Sequence, residues 1–461
     1  MTFPMRRASI GAAAESDRYA FAHASGVADA ALAAFETAVE AVLAHRPSAG
    51  PALERALAAD PDHVASLALK GLAGVILARG ETVVAARAGL AAARVAAGRR
   101  PPTDDETVLV EALAEAVEGR LAAAADRLDH RLVANPRAAL LVKLSHALRF
   151  MAGDLSGMRR TTTAALDAFA ETTPGYGFVL GCHAFCLEEA GDYAEAERAG
   201  RRAVAAEPGD AWGLHAVAHV HEMTRRPADG IAWLEETRPS WTGCNNFAFH
   251  VAWHLALFHL EGGDVERVLA LYDAEVRPQP TDDVRDVANA ASLLWRLRQD
   301  GVDVGGRWRE LAEIARARRY ETTLMFGSLH HLFALVAVGD RAAAADLLAA
   351  VARCAAEGDG DQRRVAGDVG LDLARLLAGG RPGVAAPPLV PLAARLRRLG
   401  GSNAQRDVFL RSLIEAAAAA GAEDEATALL VARAALKRPD RFAEHVSGTD
   451  RRAAAAVQAA G

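Results

Sequence analysis

The chain has 461 residues, is 51% hydrophobic but only 5% aromatic, and carries a formal charge of -7 from 52 basic and 59 acidic side chains. A chain this long outgrows one compact core unless repeated units each bury their surface against a neighbour. Acids and bases are interspersed without a basic stripe, which argues against nucleic acid as a partner, and no apolar run reaches the ~18 residues of a membrane span.

The first residues, MTFPMRRASIGAAAESDRYAF, contain arginines but no continuous apolar segment of a secretory signal. Cys182, Cys186, Cys244 and Cys354 lack any framework spacing, which suits a reducing compartment, so a soluble cytoplasmic protein is expected. Residues 1–65 read as an N-terminal helical cap. Alanine-rich stretches interleaved with Arg and Glu favour helix, and nothing alternates with period two, so almost no sheet is expected.

From residue 66 onward, glycine and proline punctuate helical pairs: 66–99, 105–138, a unit starting at 139, then 177–210, 211–244 and 249–282. In the clearest unit, 177–210, Ala184 is the small residue of the first helix and Gly191 opens the turn. Ala196 and Ala203 are the small residues of the second helix, which Pro208 ends. These offsets resemble the tetratricopeptide pattern, whose period is about 34 residues.

Beyond 282, DDVRDVANAASLLWRLRQDG and RWRELAEIARARR read as an off-phase helical pair. Weaker units follow around Gly339, Gly379 and Gly421, before an alanine-rich tail. The predicted fold is all-α, an α-solenoid of about nine or ten tetratricopeptide-like helix pairs in a right-handed superhelix long enough to curl toward closure. Segment 66–282 carries a histidine-rich groove, and 283–461 holds the irregular pair, further repeats and a C-terminal cap.

The groove is the chemical feature. In repeats of this type, positions 2, 5, 9 and 12 of the first helix face inward. Counting from Ala211 gives Trp212, His215, His219 and Glu222; counting from Phe249 gives His250, Trp253 and, at position 6, His254. Neighbouring first helices stand ~8–10 Å apart, so these imidazoles can converge. Lys70 and Lys143 both fall at position 5 of their units.

Three readings stay open. Two H-x-x-x-H pairs, His215/His219 and His250/His254, could hold a divalent, Zn-like transition metal, with Glu222 as ligand or base. The same side chains could form a metal-free pocket for a small polar or anionic ligand or a peptide tail, or act as acid and base. Or they could be buried histidines bonded between helices, with Trp212, Trp233, Trp241 and Trp253 as core.

His330 could join the pocket if the superhelix curls. His221, His259 and His331 occupy packing positions, and His146 stands at a small-residue position. His23, His45, His63, His130 and His445 read as surface residues, and Cys182, Cys186 and His183 as inert packing.

In GGSNAQRDVF, Ser402 and Gln405 form a capping box at a helix start. Capping leaves Asn403 and Arg406 unexplained, and free N–H groups beside Arg406 would make an anion anchor. Asp286, Arg307 and Asp368 read as salt-bridge partners. No G-x-S-x-G elbow, P-loop or dinucleotide fingerprint occurs.

Several blocks together, DAWGLHAVAHVHEM, ALFHLEGGDVERVLALYD, GVDVGGRW, GDVGLDL and LGGSNAQRDVFLRSLI, resemble the tetratricopeptide repeat protein 38 family from about residue 66 to the C-terminus. The resemblance implies shared residues rather than a reaction, because the family carries no settled activity. The matching positions include Lys143, His146, His215, His219, His221, Glu222, His250, His254, His330, Ser402, Asn403, Gln405, Arg406 and Asp407. The loop SWTGCNNFAF and the Gly327–Ser328 pair before His330 depart from the pattern. The leading expectation is a repeat protein binding a small ligand or peptide in a histidine-lined pocket. A metal- or histidine-dependent hydrolase or lyase, and a protein-interaction scaffold, are the alternatives.

Overall fold

The computed structural model describes residues 15–379 and 387–448. The sequence expectations for the N-terminal stretch and the alanine-rich tail fall largely outside them. The fold is an all-α solenoid, apart from a two-residue strand pair, Glu15–Ser16 with Ala22–His23.

Helices α1 (Asp29–Leu43) and α2 (Ala49–Ala59) form the first pair. Four more follow: α3 (Val64–Ile76) with α4 (Gly80–Arg99), α5 (Asp104–Ala116) with α6 (Leu121–Ala134), α7 (Ala139–Ala152) with α8 (Leu155–Leu166), and α9 (Tyr176–Glu189) with α10 (Tyr193–Ala206). Next come α11 (Ala211–Met223) with α12 (Pro227–Glu236) and the short α13 (Arg238–Trp241), then α14 (Phe247–Gly262) with α15 (Val265–Leu271). The C-terminal half holds α16 (Val284–Gln299), α17 (Trp308–Ala317), α18 (Met325–Ala337) and α19 (Arg341–Glu357). It ends with α20 (Gly360–Val365), α21 (Leu371–Leu377), α22 (Leu389–Arg395), α23 (Asn403–Ala419) and α24 (Glu423–Ala434).

The repeat signal has a packing cause. Ala184, Ala196 and Ala203 are fully buried where α9 and α10 cross, and a larger side chain there would push the helices apart. The phase weakens downstream because π-helical turns interrupt it at Tyr272–Val276 and Ala366–Gly370. Each such turn carries i→i+5 bonding, which rotates everything beyond it off the repeat. The apolar core nevertheless runs from Ala211 to Val446 as one cluster, and a second runs from Tyr19 to Val179.

The superhelix closes on itself. The turn after α22 lies against the end of α7, where backbone meets backbone. A Cβ on Gly153 (φ +70°) would collide with the Arg397 carbonyl, and one on Gly400 (φ +76°) with that of Met151. Further along the seam, Asp361 N–H donates to the Gly119 carbonyl at 2.9 Å. Arg79 pairs with Asp282 at 2.6 Å, and Arg318 with Glu81 at 2.8 Å. On the opposite edge, Arg438 N–H donates to the Met223 carbonyl at 2.9 Å. The concave side of the early repeats is therefore covered by the late ones.

Three histidines read as surface residues are not. His23 and His63 are 3% and 0% exposed, and their rings pack with Phe35 beside Glu106. His45 is drawn inward beneath Trp212. The β-pair and α1 fold over α3 and α7, a long-range event that helical phase does not report. His130 and His445 are exposed, as expected.

Candidate functional site

Helices α11 and α14 bring four imidazoles to one point. His215 Nε2 lies 2.9 Å from His219 Nε2 and 2.8 Å from His250 Nε2. One ring nitrogen from each of His215, His219, His250 and His254 falls within a sphere where all are under 4.8 Å apart. The spacing of four puts each pair on one helix face, and the helices align them.

Behind this cluster stands a shell of acceptors. His254 Nδ1 is 2.9 Å from Glu222 Oε2, His250 Nδ1 is 2.9 Å from Asn289 Oδ1, and His219 Nδ1 is 3.3 Å from Glu188 Oε2. Glu222 also accepts from Lys437 at 3.1 Å. Glu222 thus orients His254 from behind rather than offering a base to the cavity beside the histidines.

Burial pulls His215 and His250 well below the ordinary histidine range and His254 to about 4, reinforced by the neighbouring imidazoles. For His219, burial is outweighed by Glu188 and Glu222, and its pKa rises. Burial pushes Glu188 up to about 7 against the pull of His219. Burial opposes ionisation of Glu222 too, yet Lys437 and His254 hold its carboxyl well below the usual range.

Beside the cluster lies a cavity of about 190 Å³, walled by His215 and His250 from within and by His45, Lys143, His146 and Trp212 alongside. Its remaining wall is largely apolar: Ile76, Phe150, Met151, Phe247, Leu324 and Phe326. His45 stacks on Phe247 at 4.4 Å and on Trp212 at 5.6 Å, holding a left-handed backbone (φ 55°) uncommon outside glycine. The Lys143 ammonium sits 4.9 Å over the Trp212 ring. Burial, then Lys143, drive His45 well below the histidine range and His146 to about 3.

The cavity takes in part of the residue set singled out from sequence. His215, His250, Trp212, Lys143 and Gln405 line it, while His219 and His254 lie one layer behind. Trp253 is fully buried, stacked on His250 at 5.3 Å, with Arg296 over its ring. Lys70 points outward and pairs with Glu54 at 2.6 Å.

The Ser402–Gln405 capping box forms as read. The anion at that helix start is the chain's own Glu189. It accepts from Asn403 N–H at 2.6 Å and pairs with Arg406 at 2.9 Å, so these residues staple α9 to α23. Asn403 and Arg406 border a separate, larger space of about 920 Å³.

His330 lies behind Phe326, bonded through Nδ1 to the Phe326 carbonyl at 2.8 Å and packed on Phe409. Burial lowers its pKa to about 3. Above pH 6.5 this has no effect on stability. As pH falls from 6.5 toward 3, the unfolded chain takes up a proton that the folded chain refuses, so stability is lost. The His330→Phe variant should therefore lose about 2 kcal/mol less stability than the parent between neutral pH and roughly pH 5, read by urea denaturation at both values.

Sequence reasoning missed His45, Asn246, Arg285 and Asn289. His45 and Asn246 sit in connections, which the groove positions of a repeat do not cover. Arg285 and Asn289 belong to the off-phase helix α16.

No family model matches the chain. Among solved structures, the crystal structure of the P58(IPK) TPR domain aligns with 76% of this chain and 89% of its own at 13% identity, with a TM-score of 0.21. The structure of Naa15/Naa10 bound to HypK-THB aligns with 90% of this chain and 64% of its own at 12% identity, with a TM-score of 0.22. At such scores the fold rests on this chain's own helix pairing. Among the described residues, no helix is long and apolar enough to cross a membrane.

Proposed function

We propose that this chain is a closed tetratricopeptide-type superhelix, akin to the tetratricopeptide repeat protein 38 family and cytoplasmic, that takes up a small anionic ligand with an apolar body. The supporting observation is a set of orphaned polar atoms on one cavity. Lys143 Nζ, Trp212 Nε1, His45 Nε2 and His146 Nε2 are all buried there without a hydrogen-bond partner among the described residues. An ammonium and an indole N–H can only donate, so what the site lacks is an acceptor.

Burying such donors unpaired costs free energy that a ligand oxygen recovers. The apolar wall suits a hydrocarbon ring or chain behind that oxygen. An apolar cavity of roughly 150 Å³ is known to hold benzene, so about 190 Å³ fits a single-ring acid. The larger space beside it shares Phe150 and Gly401 with the cavity and carries Arg159, Arg397 and Arg398; Arg159 and Arg398 pair with Asp192 and Asp368, so Arg397 is the cation that would meet an incoming anion.

Benzoate is the probe. It should quench Trp212 emission saturably, and Lys143→Met should weaken binding at least tenfold while leaving the thermal midpoint of the free protein near that of the parent. Binding that ignores Lys143, or no binding by benzoate or its ring-substituted relatives, would remove this reading.

A protein-interaction scaffold is the second reading, favoured by the fold class, because stacked helical pairs present extended surfaces. Here it would use the convex face, since the late repeats cover the concave one.

A further inference from the structure

The histidine cluster poses a proton-counting problem. An amide and a carboxylate oxygen face Nδ1 of His250 and His254 at hydrogen-bond distance, which places the ring proton on Nδ1 in each. The Nε2 atoms of His250 and His254 then carry bare lone pairs, and one nitrogen from each of the four rings meets at the same centre. His215 Nε2 stands between two of them, at 2.9 and 2.8 Å, and a nitrogen can hold one proton only. At most one of the two N···N contacts can therefore be a full hydrogen bond. His254 Nε2 is buried with no hydrogen-bond partner among the described residues. A cation at the centre resolves every one of these contacts at once.

We infer that His215, His219, His250 and His254 form a tetra-histidine centre for a divalent transition metal ion, of which Zn²⁺ is the best match. Neutral imidazole nitrogens suit Zn²⁺ and its neighbours rather than Mg²⁺ or Ca²⁺, which prefer oxygen. The oxygens on Nδ1 are the outer shell that metal-bound histidines ordinarily have, fixing tautomer and ring direction.

Zn–N distances of about 2.0–2.1 Å in a tetrahedron imply donors roughly 3.3 Å apart. The two short contacts of His215 would therefore open by about half an ångström, within the reach of side-chain rotation. Because His215 and His250 also wall the cavity, the ion would sit at its inner end. This site stands on the histidine geometry alone and does not rest on the ligand reading above.

The test uses the full chain without a histidine tag, stripped with chelator and titrated calorimetrically with Zn²⁺. One equivalent per chain should bind with a micromolar or tighter Kd, and Co²⁺ should give the visible absorption of a tetrahedral nitrogen site. His219→Ala with His254→Ala should weaken binding at least a hundredfold. Glu222→Gln, which keeps a hydrogen-bond acceptor for His254, should weaken it about tenfold, and each variant's fold is checked by circular dichroism.

His63→Ala, in the separate His23–His63–Glu106 group, should leave the stoichiometry unchanged. Absence of stoichiometric Zn²⁺ binding by the folded parent would overturn the proposal. So would binding that survives in the folded double variant or in Glu222→Gln at parental strength. Stripped protein that still takes benzoate in a Lys143-dependent way, but binds no Zn²⁺, would overturn the metal centre and leave the ligand reading intact.

Discussion

Arg433→Ala should destabilise the protein by roughly 3–5 kcal/mol, among the largest effects available to a single substitution in this chain. Arg433 is 2% exposed and holds two buried carboxylates, Asp407 at 2.6 and 3.0 Å and Asp440 at 2.8 and 2.6 Å. Removing the guanidinium leaves those carboxylates in a desolvated pocket with Lys437 beside Asp440 and Arg296 acting on Asp407 as the nearby cations.

Burial raises both acids, but Arg433 more than offsets it and holds Asp407 and Asp440 below the ordinary range. Their contribution is therefore present at neutral pH and lost as pH falls through their folded values. Urea denaturation at neutral pH reads the loss. Replacing Arg433, Asp407 and Asp440 together with apolar residues of similar size should recover much of it, because the carboxylates that need the guanidinium leave with it. If the single variant matched the parent, the network would hold no structural weight.

The second large effect concerns the seam. Gly400→Val should cost roughly 2–5 kcal/mol, from the positive φ it must adopt and from overpacking against the Met151 carbonyl. Gly379 supplies the control: its φ is +86°, but a Cβ there would meet nothing within 4 Å among the described residues. Gly379→Ala should show only the backbone part, about 1–2 kcal/mol. The two variants should also differ in shape. Small-angle scattering should report a larger radius of gyration for Gly400→Val, from a ring sprung open, and an unchanged one for Gly379→Ala.

What the sequence disclosed follows from the range of the interactions involved. Helix pairing is local, so Ala184, Ala196, Ala203 and the turn glycines announced it. The convergence of His215, His219, His250 and His254 is nearly local too, since it needs only helical phase and one neighbouring repeat. The fates of Arg406 and Glu222 were not legible, because each is decided by a partner more than two hundred residues away. Asn403 and Arg406 meet Glu189, and Glu222 meets Lys437, only after the superhelix has closed. The inward turn of His45, His23 and His63 has the same origin, in elements that pack across repeats rather than within them.

Closure changes what kind of object this repeat protein is. An open array can gain or lose a unit and still be stable, since each unit answers only to its neighbours. Here Gly153 must find Gly400, and Gly119 must find Asp361. Duplicating or deleting a single pair would carry those partners past each other by a full helical hairpin. The number of repeats is therefore locked, as the teeth of a gear are, and descent in such a lineage must proceed by substitution within units rather than by counting more of them.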